Sequence, residues 1–547
     1  MKQQTESNVL KNGIVGAFYL IGLQIISRVF TFIINTLVIV GVDDSIFGVS
    51  AIQYQLLSSI ILFLSREAIR RACTRVNITD KSNNGNNLKS VIKLSWLVLP
   101  IGIGLSVIFE NFFLYTSTKE TLQILNYHYG LRLFTISSIL ELLSEPMYIL
   151  AQNLLLFKIR TTVEGFALFF KTFSSYYFIV ILNMGLIGFG YAQILYSLTL
   201  VIGYFGYFLV NIINNKKNHK EFSNCFNSVN QLFPKFTTTI DKNLIKLSIL
   251  YTWQSIYKLL LQEGEKFVLF FSETNQGQAI FAIVSNLGSL IVRFLFLPIE
   301  ETCFLMFPKL FPTIKTDTTK NNNNEREINN ENYKNGANVL IVIMKFLFLV
   351  SLIFTCFGPG FSHLLLNLLY KNKFKDTNAG VLLGFYCLYV GFLAVNGVSE
   401  SFVHSVAKED QLKVVNWVLI IIGFIYLLFT LIFCKLFQNI GIILANCLNM
   451  LLRIIYSIYF MKSFFKDIKD IKLSKMIPNK MVILSFIVSF IFTNLSNKYI
   501  YNPDSFKSTC IHLLVGIICF VQTCGFIYLK EWSSIKEFRK ILSNKNK

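Results

Sequence analysis

The sequence predicts an all-α polytopic membrane protein of about 14 transmembrane helices, and three observations carry that prediction. Apolar residues make up 53% of the 547 positions and charged residues only 15%, where a soluble domain carries roughly a quarter charged. Apolar runs long enough to cross a bilayer, about 20 residues each, recur along the whole chain. The basic residues collect between alternate runs, as the positive-inside rule requires. The expected arrangement is two six-helix lobes around a central cavity, followed by two further helices.

Taken in order, the predicted spans are 13–40, 45–66, 90–114, 121–156, 161–183 and 187–212, then 243–271, 277–312, 336–368, 377–404, 412–434 and 439–461. A last pair covers 480–498 and 508–529. The first run is too long for a signal-peptide apolar core and shows no small-residue cleavage site, so it reads as a retained helix. The fourth exceeds what a membrane needs and contains Pro146, which predicts a kink or a helix pair.

Orientation follows from Leu64-Ser65-Arg66-Glu67-Ala68-Ile69-Arg70-Arg71 with Thr74-Arg75. Arginines this dense cannot sit among lipid tails, so they mark the cytosolic face. The alternate loops on that face, with both termini, then hold most of the loop Lys and Arg. The discordant stretch is Lys371-Asn372-Lys373-Phe374-Lys375, on the lumenal side. The expected domains are an N-terminal lobe, 1–212, a cytosolic basic connector, 213–240, and a C-terminal lobe, 241–462. The second lobe contains an Asn-rich loop, 313–335, read as disordered. A cytosolic loop, the two extra helices and a cytosolic tail fill 463–547.

The net charge of +21 would suggest nucleic acid in a soluble protein. Here it is accounted for by cytosolic loops facing an anionic leaflet, and no nucleic-acid partner is expected. No GxxxxGK[ST], HExxH or GxSxG pattern occurs, so neither nucleotide-driven pumping nor hydrolase chemistry is expected. The ten cysteines form no CxxC pair and mostly lie inside apolar runs. No metal, cofactor or structural disulfide is predicted.

Charges inside the spans are the informative residues, since each costs at least about 2.5–3.5 kcal/mol at a helix centre. They include Arg28, Arg132, Lys171, Lys258, Lys266, Arg293 and Arg453, with Glu141, Glu145, Glu164, Glu263, Glu265, Glu300 and Glu301. Lys93, Lys171 and Lys246 also read as side chains that snorkel to an interface. Gln262-Glu263-Gly264-Glu265-Lys266 interrupts an apolar helix, which marks either a transport path or a structural salt bridge. Arg293 and Glu300, seven residues apart, are expected on one helix face.

Several motifs, in order, resemble one family. Phe63-Leu64-Ser65-Arg66-Glu67-Ala68-Ile69-Arg70-Arg71 is similar to the signature after the second helix of the eukaryotic dolichol-linked oligosaccharide translocation family. Gln262-Glu263-Gly264-Glu265-Lys266 is similar to that family's QGEKY-type motif, with an extra Glu263 and with Phe267 in the tyrosine place. Arg293-Phe294-Leu295-Phe296-Leu297-Pro298-Ile299-Glu300-Glu301 matches its R-x-x-x-x-P-I-E-E segment. Asn396-Gly397-Val398-Ser399-Glu400-Ser401-Phe402 and Lys408-Glu409-Asp410-Gln411-Leu412 resemble its tenth helix and following loop. The resemblance covers almost the whole chain.

It implies a multi-pass endoplasmic reticulum protein of N-linked glycosylation, within the multidrug/oligosaccharidyl-lipid/polysaccharide flippase superfamily. The implied cargo is a pentamannosyl-chitobiosyl-pyrophosphoryl-dolichol, moved from the cytosolic to the lumenal leaflet without ATP hydrolysis. Expected partners are this lipid, the surrounding ER lipids and glycosylation-pathway enzymes. Arginine forks suit a pyrophosphate. The candidate substrate-binding residues are Arg28, Arg66, Glu67, Arg70, Glu265, Lys266, Arg293, Glu300 and Glu301. The alternatives are a non-transporting ER scaffold or accessory factor of dolichol-linked oligosaccharide assembly and, more weakly, an ion-coupled exporter of small cations.

Overall fold

A computed structural model describes residues 29–76, 86–154, 156–213, 228–234, 241–311, 323–371, 373–466, 471 and 473–543. Arg28, Asn77 and most of the basic connector lie outside them. Within them the chain is helical, with no β-strand. It forms two compact units, Met1–Ala279 and Ile280–Lys547.

Among the described residues, eleven helices are long and apolar enough to cross a membrane. They are α2 (Asp44–Cys73), α3 (Asn87–Thr116), α4 (Tyr127–Asn153), α6 (Gly185–Ile213), α8 (Asn275–Pro308), α9 (Tyr333–Tyr370), α10 (Ala379–Val406), α11 (Asp410–Phe437), α12 (Asn439–Phe464), α13 (Leu473–Tyr499) and α14, whose span is Phe506–Trp532. Three further helices occupy the other predicted segments. The first, α1 (Val29–Gly41), is short over the described residues. The other two, α5 (Phe157–Tyr176) and α7 (Lys242–Ser272), carry charges along their length. The long fourth segment divides at Asn126, which adopts a left-handed conformation (φ 64°), and α4 then runs unbroken through Pro146. The helix that carries α9 starts at Asn323, inside the Asn-rich stretch.

In the first unit, α2 and α4 lie side by side and point the same way. Tyr54 donates to the Tyr127 carbonyl at 2.7 Å, Ser58 meets Ser138 at 2.8 Å, Arg66 meets Glu141, and Arg70 meets Glu145. Partners rise together along both helices, as two spans separated by one return crossing must. Lipid supplies no hydrophobic drive between helices, so such contacts and close packing hold them, at about 0.6–2 kcal/mol per hydrogen bond. On its other side α2 packs antiparallel to α7, with Glu67 against Lys258 and Arg75 over Tyr251. At the N-terminal end of α2, a Cβ on Gly48 would stand 2.0 Å from the Asn275 carbonyl oxygen. Only glycine permits that approach.

In the second unit, α9 packs along α10, and the C-terminal helix pair is tied to α9 at both ends. Glu531 is buried and accepts from Lys345 Nζ at 2.8 Å and from the Asn479 N–H at 2.7 Å. His512 Nε2 lies 3.0 Å from the Gly360 carbonyl, which can only accept, so Nε2 donates and Nδ1 accepts from Ser496 Oγ at 2.8 Å. Outward positions such as Val107 and Ile108 on α3, Ile421 and Phe424 on α11, and Ile518 and Val521 on α14 are exposed. A soluble protein would not show so continuous an apolar surface, whereas hydrocarbon tolerates it. The discordant basic loop is partly neutralised within the unit, because Lys375 pairs with Asp504 of the loop before α14.

Candidate functional site

The densest polar constellation lies in the first unit, where α2, α4, α5 and α7 converge at the arginine-rich end of α2. Arg66 and Arg70 are one turn apart on α2, and Glu141 and Glu145 are one turn apart on the parallel α4. Matching spacing and direction therefore mate both pairs at once. Arg66 Nη1 donates to Glu141 Oε1 at 2.6 Å and lies 3.8 Å from Glu145 Oε2. Arg70 binds Glu145 through both its fork nitrogens, Nε at 2.6 Å and Nη2 at 2.7 Å, and its guanidinium stacks 4.0 Å over Tyr148. The Glu141 and Glu145 side chains are only 8% and 2% exposed, whereas Arg66 and Arg70 keep 24% and 21%. The carboxylates thus form a buried floor, and the guanidinium edges face outward from it.

A second layer surrounds this floor. Glu67 accepts from Arg71 at 2.8 Å and from Lys258 of α7 at 3.2 Å. Arg160 of α5 lies 5.1 Å over the same Tyr148 ring and bonds Glu164. Lys171 sits 5.5 Å from the Tyr196 ring on α6. Cations outnumber carboxylates here, six (Arg66, Arg70, Arg71, Arg160, Lys171, Lys258) against four (Glu67, Glu141, Glu145, Glu164). Arg66 uses only Nη1 on protein acceptors among the described residues, so part of its fork remains able to donate.

The other predicted residues go elsewhere. Lys266 pairs with Glu263 one turn earlier on α7, at 2.8 Å, so this bridge is local to the helix and spans no lobes. Arg293 lies in a π-turn, Val292–Phe296, whose extra width rotates the following residues about the helix axis. The regular spacing that predicts a shared face for Arg293 and Glu300 is interrupted between them. Pro298 supplies the cause, because it lacks the N–H that would bond the Phe294 carbonyl in a regular helix. Glu300 instead packs on α10, its Oε2 2.8 Å from where a Cβ of Gly397 would stand. Around it in the second unit, Glu400 accepts from Asn396 at 2.9 Å and Arg453 at 3.4 Å, with His404 3.6 Å away. Glu301 is exposed on α8. No group of three or more His, Cys, Asp or Glu able to hold a metal occurs among the described residues.

The sequence marks Arg66, Glu67 and Arg70 as site residues, whereas Glu141, Glu145 and Lys258 stand in it only as charges within spans. The signal was the shared spacing of four in 66/70 and 141/145.

The sequence model of the family described as Rft-1: Rft protein matches residues 13–541. The chain belongs to this Rft family. Among curated Rft relatives, the Man(5)GlcNAc(2)-PP-dolichol translocation protein RFT1 of Dictyostelium discoideum is 85% identical over 100% of both chains. The protein of the same name from Xenopus tropicalis is 30% identical over 94% of each. Among solved structures, the lipid II flippase MurJ in an inward closed conformation superposes with a TM-score of 0.59 at 15% identity, covering 92% of this chain and 98% of that one. An inward-facing MATE family multidrug transporter gives 0.53 at 11% identity, covering 80% and 95%. At these identities the likeness shows that the Rft chain has the helical fold of these transporters.

Proposed function

We propose that this chain translocates Man(5)GlcNAc(2)-PP-dolichol, the lipid in its relatives' names, from the cytosolic to the lumenal leaflet of the endoplasmic reticulum membrane for N-linked glycosylation. The carrying observation is the cation excess built on the Glu141–Glu145 floor. Moving a single small ion from water into a dry medium costs of order 20 kcal/mol, so a pyrophosphate crosses only in contact with fixed cations. Arg66 and Arg70, held rigid by α4, offer phosphate oxygens the guanidinium N–H groups they do not spend on Glu141 and Glu145. The sugar would pass through a polar path while the polyprenyl tail stays in lipid. Two lobes, 1–212 and 241–462, exchange access on either side, with both termini in the cytosol and no ATP hydrolysis by this chain. Arg28, Glu67, Glu265, Lys266, Arg293, Glu300 and Glu301 are further cargo contacts in this reading.

A second reading has its own observation. Arg70 is already satisfied on both fork nitrogens and over its face, as a structural residue would be. In that reading the protein is a non-transporting scaffold of the same lipid pathway. Purified protein in liposomes, assayed for flipping of the authentic lipid-linked oligosaccharide, separates them. Transport by the native protein with at least tenfold loss in Arg66→Lys supports phosphate recognition, since lysine keeps the charge and loses the fork. Absence of flipping by the native protein supports the scaffold.

A further inference from the structure

We infer that a slot between α9, α10 and α13 binds a neutral lipid alcohol, one hydroxyl on an elongated apolar body. The slot lies wholly within the second unit and has a volume of about 380 Å³, within the roughly 300–1,000 Å³ of small-molecule sites. Its walls are Pro359, Val381, Phe385, Leu388 and Phe490, and its polar groups are Thr355, His363, Asn494 and Asn497. The site is separate from the pyrophosphate reading and carries the opposite chemistry.

Position along the helices orients the occupant. His363 is within two turns of the end of α9, Gly380 opens α10, and Asn494 and Asn497 lie in the last turns of α13. These ends share one membrane face, next to the two loops joined by the Lys375–Asp504 pair. From His363 to Thr355, or from Gly380 to Leu388, the slot descends eight residues, about 12 Å. Its imidazole and amides therefore lie near the interface, and toward the midplane it is largely apolar, with the Thr355 hydroxyl at the deep end. Val381 and Phe490 are exposed at its mouth, which opens sideways to lipid.

The polar end is built and uncharged. A Cβ on Gly380 would stand 2.3 Å from His363 Nδ1, so the glycine makes room for the imidazole between α9 and α10. His363 forms no hydrogen bond within the described residues, and Asn494 spends only Nδ2, on the Phe490 carbonyl at 2.8 Å. A neutral imidazole and two amides offer both donors and acceptors, which is what a hydroxyl uses. No Lys or Arg lines the slot. A phosphate or carboxylate head would bring an unpaired charge to a nearly dry site, at a cost the lining does not offset.

The test uses the full-length protein in nanodiscs with three photoreactive probes: a sterol, a long-chain polyprenol and a phosphatidylcholine. One of the two alcohols should label peptides within 355–388 or 490–497, and the corresponding unlabelled alcohol should compete where its methyl ether does not. Which alcohol labels identifies the source. His363→Ala, which removes one hydrogen bond, should lower labelling about fivefold. Val381→Trp, at an exposed position that does not threaten folding, should block the mouth and abolish labelling at normal protein abundance. Equal labelling by phosphatidylcholine, no labelling by either alcohol, or labelling unchanged in Val381→Trp would overturn the assignment.

Discussion

Removing the Glu145 carboxylate should uncover what the α2–α4 floor does. Glu145 is 2% exposed and carries two short bonds from Arg70, with Arg66 3.8 Å away. Glu145→Leu leaves Arg70 beside an apolar wall with neither fork nitrogen matched. Breaking one member of a buried pair costs about 3–5 kcal/mol. Arg70 keeps 21% exposure and can turn partly to water, which lowers the expected loss to about 2–4 kcal/mol. Arg70→Met alone should cost a similar amount, by stranding Glu145. The double variant Arg70→Met with Glu145→Leu replaces the pair with packed apolar groups and should recover most of the loss, so that the coupling exceeds either single loss. Thermal unfolding in detergent, followed by size-exclusion fluorescence, reads the stabilities, and complementation of a glycosylation defect reads activity. Additive losses in the double variant would refute the pairing. A double variant restored in both abundance and glycosylation would show that Arg70 serves structure alone, and would remove it from the cargo site.

Three other outcomes follow from the packing and charges. Gly48→Ala should lower stability by about 2–3 kcal/mol, because its Cβ meets the Asn275 backbone oxygen, whereas Gly397→Ala meets only the mobile end of Glu300 and should cost under about 1 kcal/mol; the same unfolding assay compares them, and equal losses would contradict the packing. The Asp504 carboxylate holds the Lys375 ammonium above its ordinary pKa. A raised folded value stabilises below the ordinary lysine pKa and is lost as pH rises through the raised one, so any low-salt difference between native protein and Lys375→Ala should vanish at alkaline pH, and none should appear at neutral pH in physiological salt. The sequon Asn77-Ile78-Thr79, proposed to face the cytosol, should carry no glycan, while an acceptor placed in the 373–378 loop should be modified; a glycosidase-sensitive shift from Asn77 would invert the proposed orientation.

The membrane class and nearly every span were legible because lipid enforces length and hydropathy so strictly. The three segments that depart from a plain apolar helix do so for local reasons. Arg160, Glu164 and Lys171 on α5, and Lys258, Glu263 and Lys266 on α7, are engaged by neighbours that hydropathy cannot register. The break at Asn126 is hidden because asparagine tolerates the left-handed region without announcing it as glycine would. In the site, the Lys266–Glu263 bridge was readable from spacing alone, being three residues apart. The Arg66–Glu141 and Arg70–Glu145 pairs were not, since mating them requires knowing that α2 and α4 are parallel neighbours. The π-turn at Arg293 was equally hidden, because a one-residue change of phase leaves no trace in composition.

The parallel ladder also imposes an order on synthesis. Arg66 and Arg70 are each 75 residues ahead of their carboxylates in the chain. At about 5–20 residues per second, a ribosome leaves them without those partners for roughly 4–15 s. During that interval the end of α2 can neither sink into hydrocarbon nor settle against α4, so it must wait at the water boundary while α3 is made. Insertion of the arginine end is completed by a helix two crossings later, and a nascent chain stopped between Cys73 and Glu141 would display that unfinished end as a mark of immaturity.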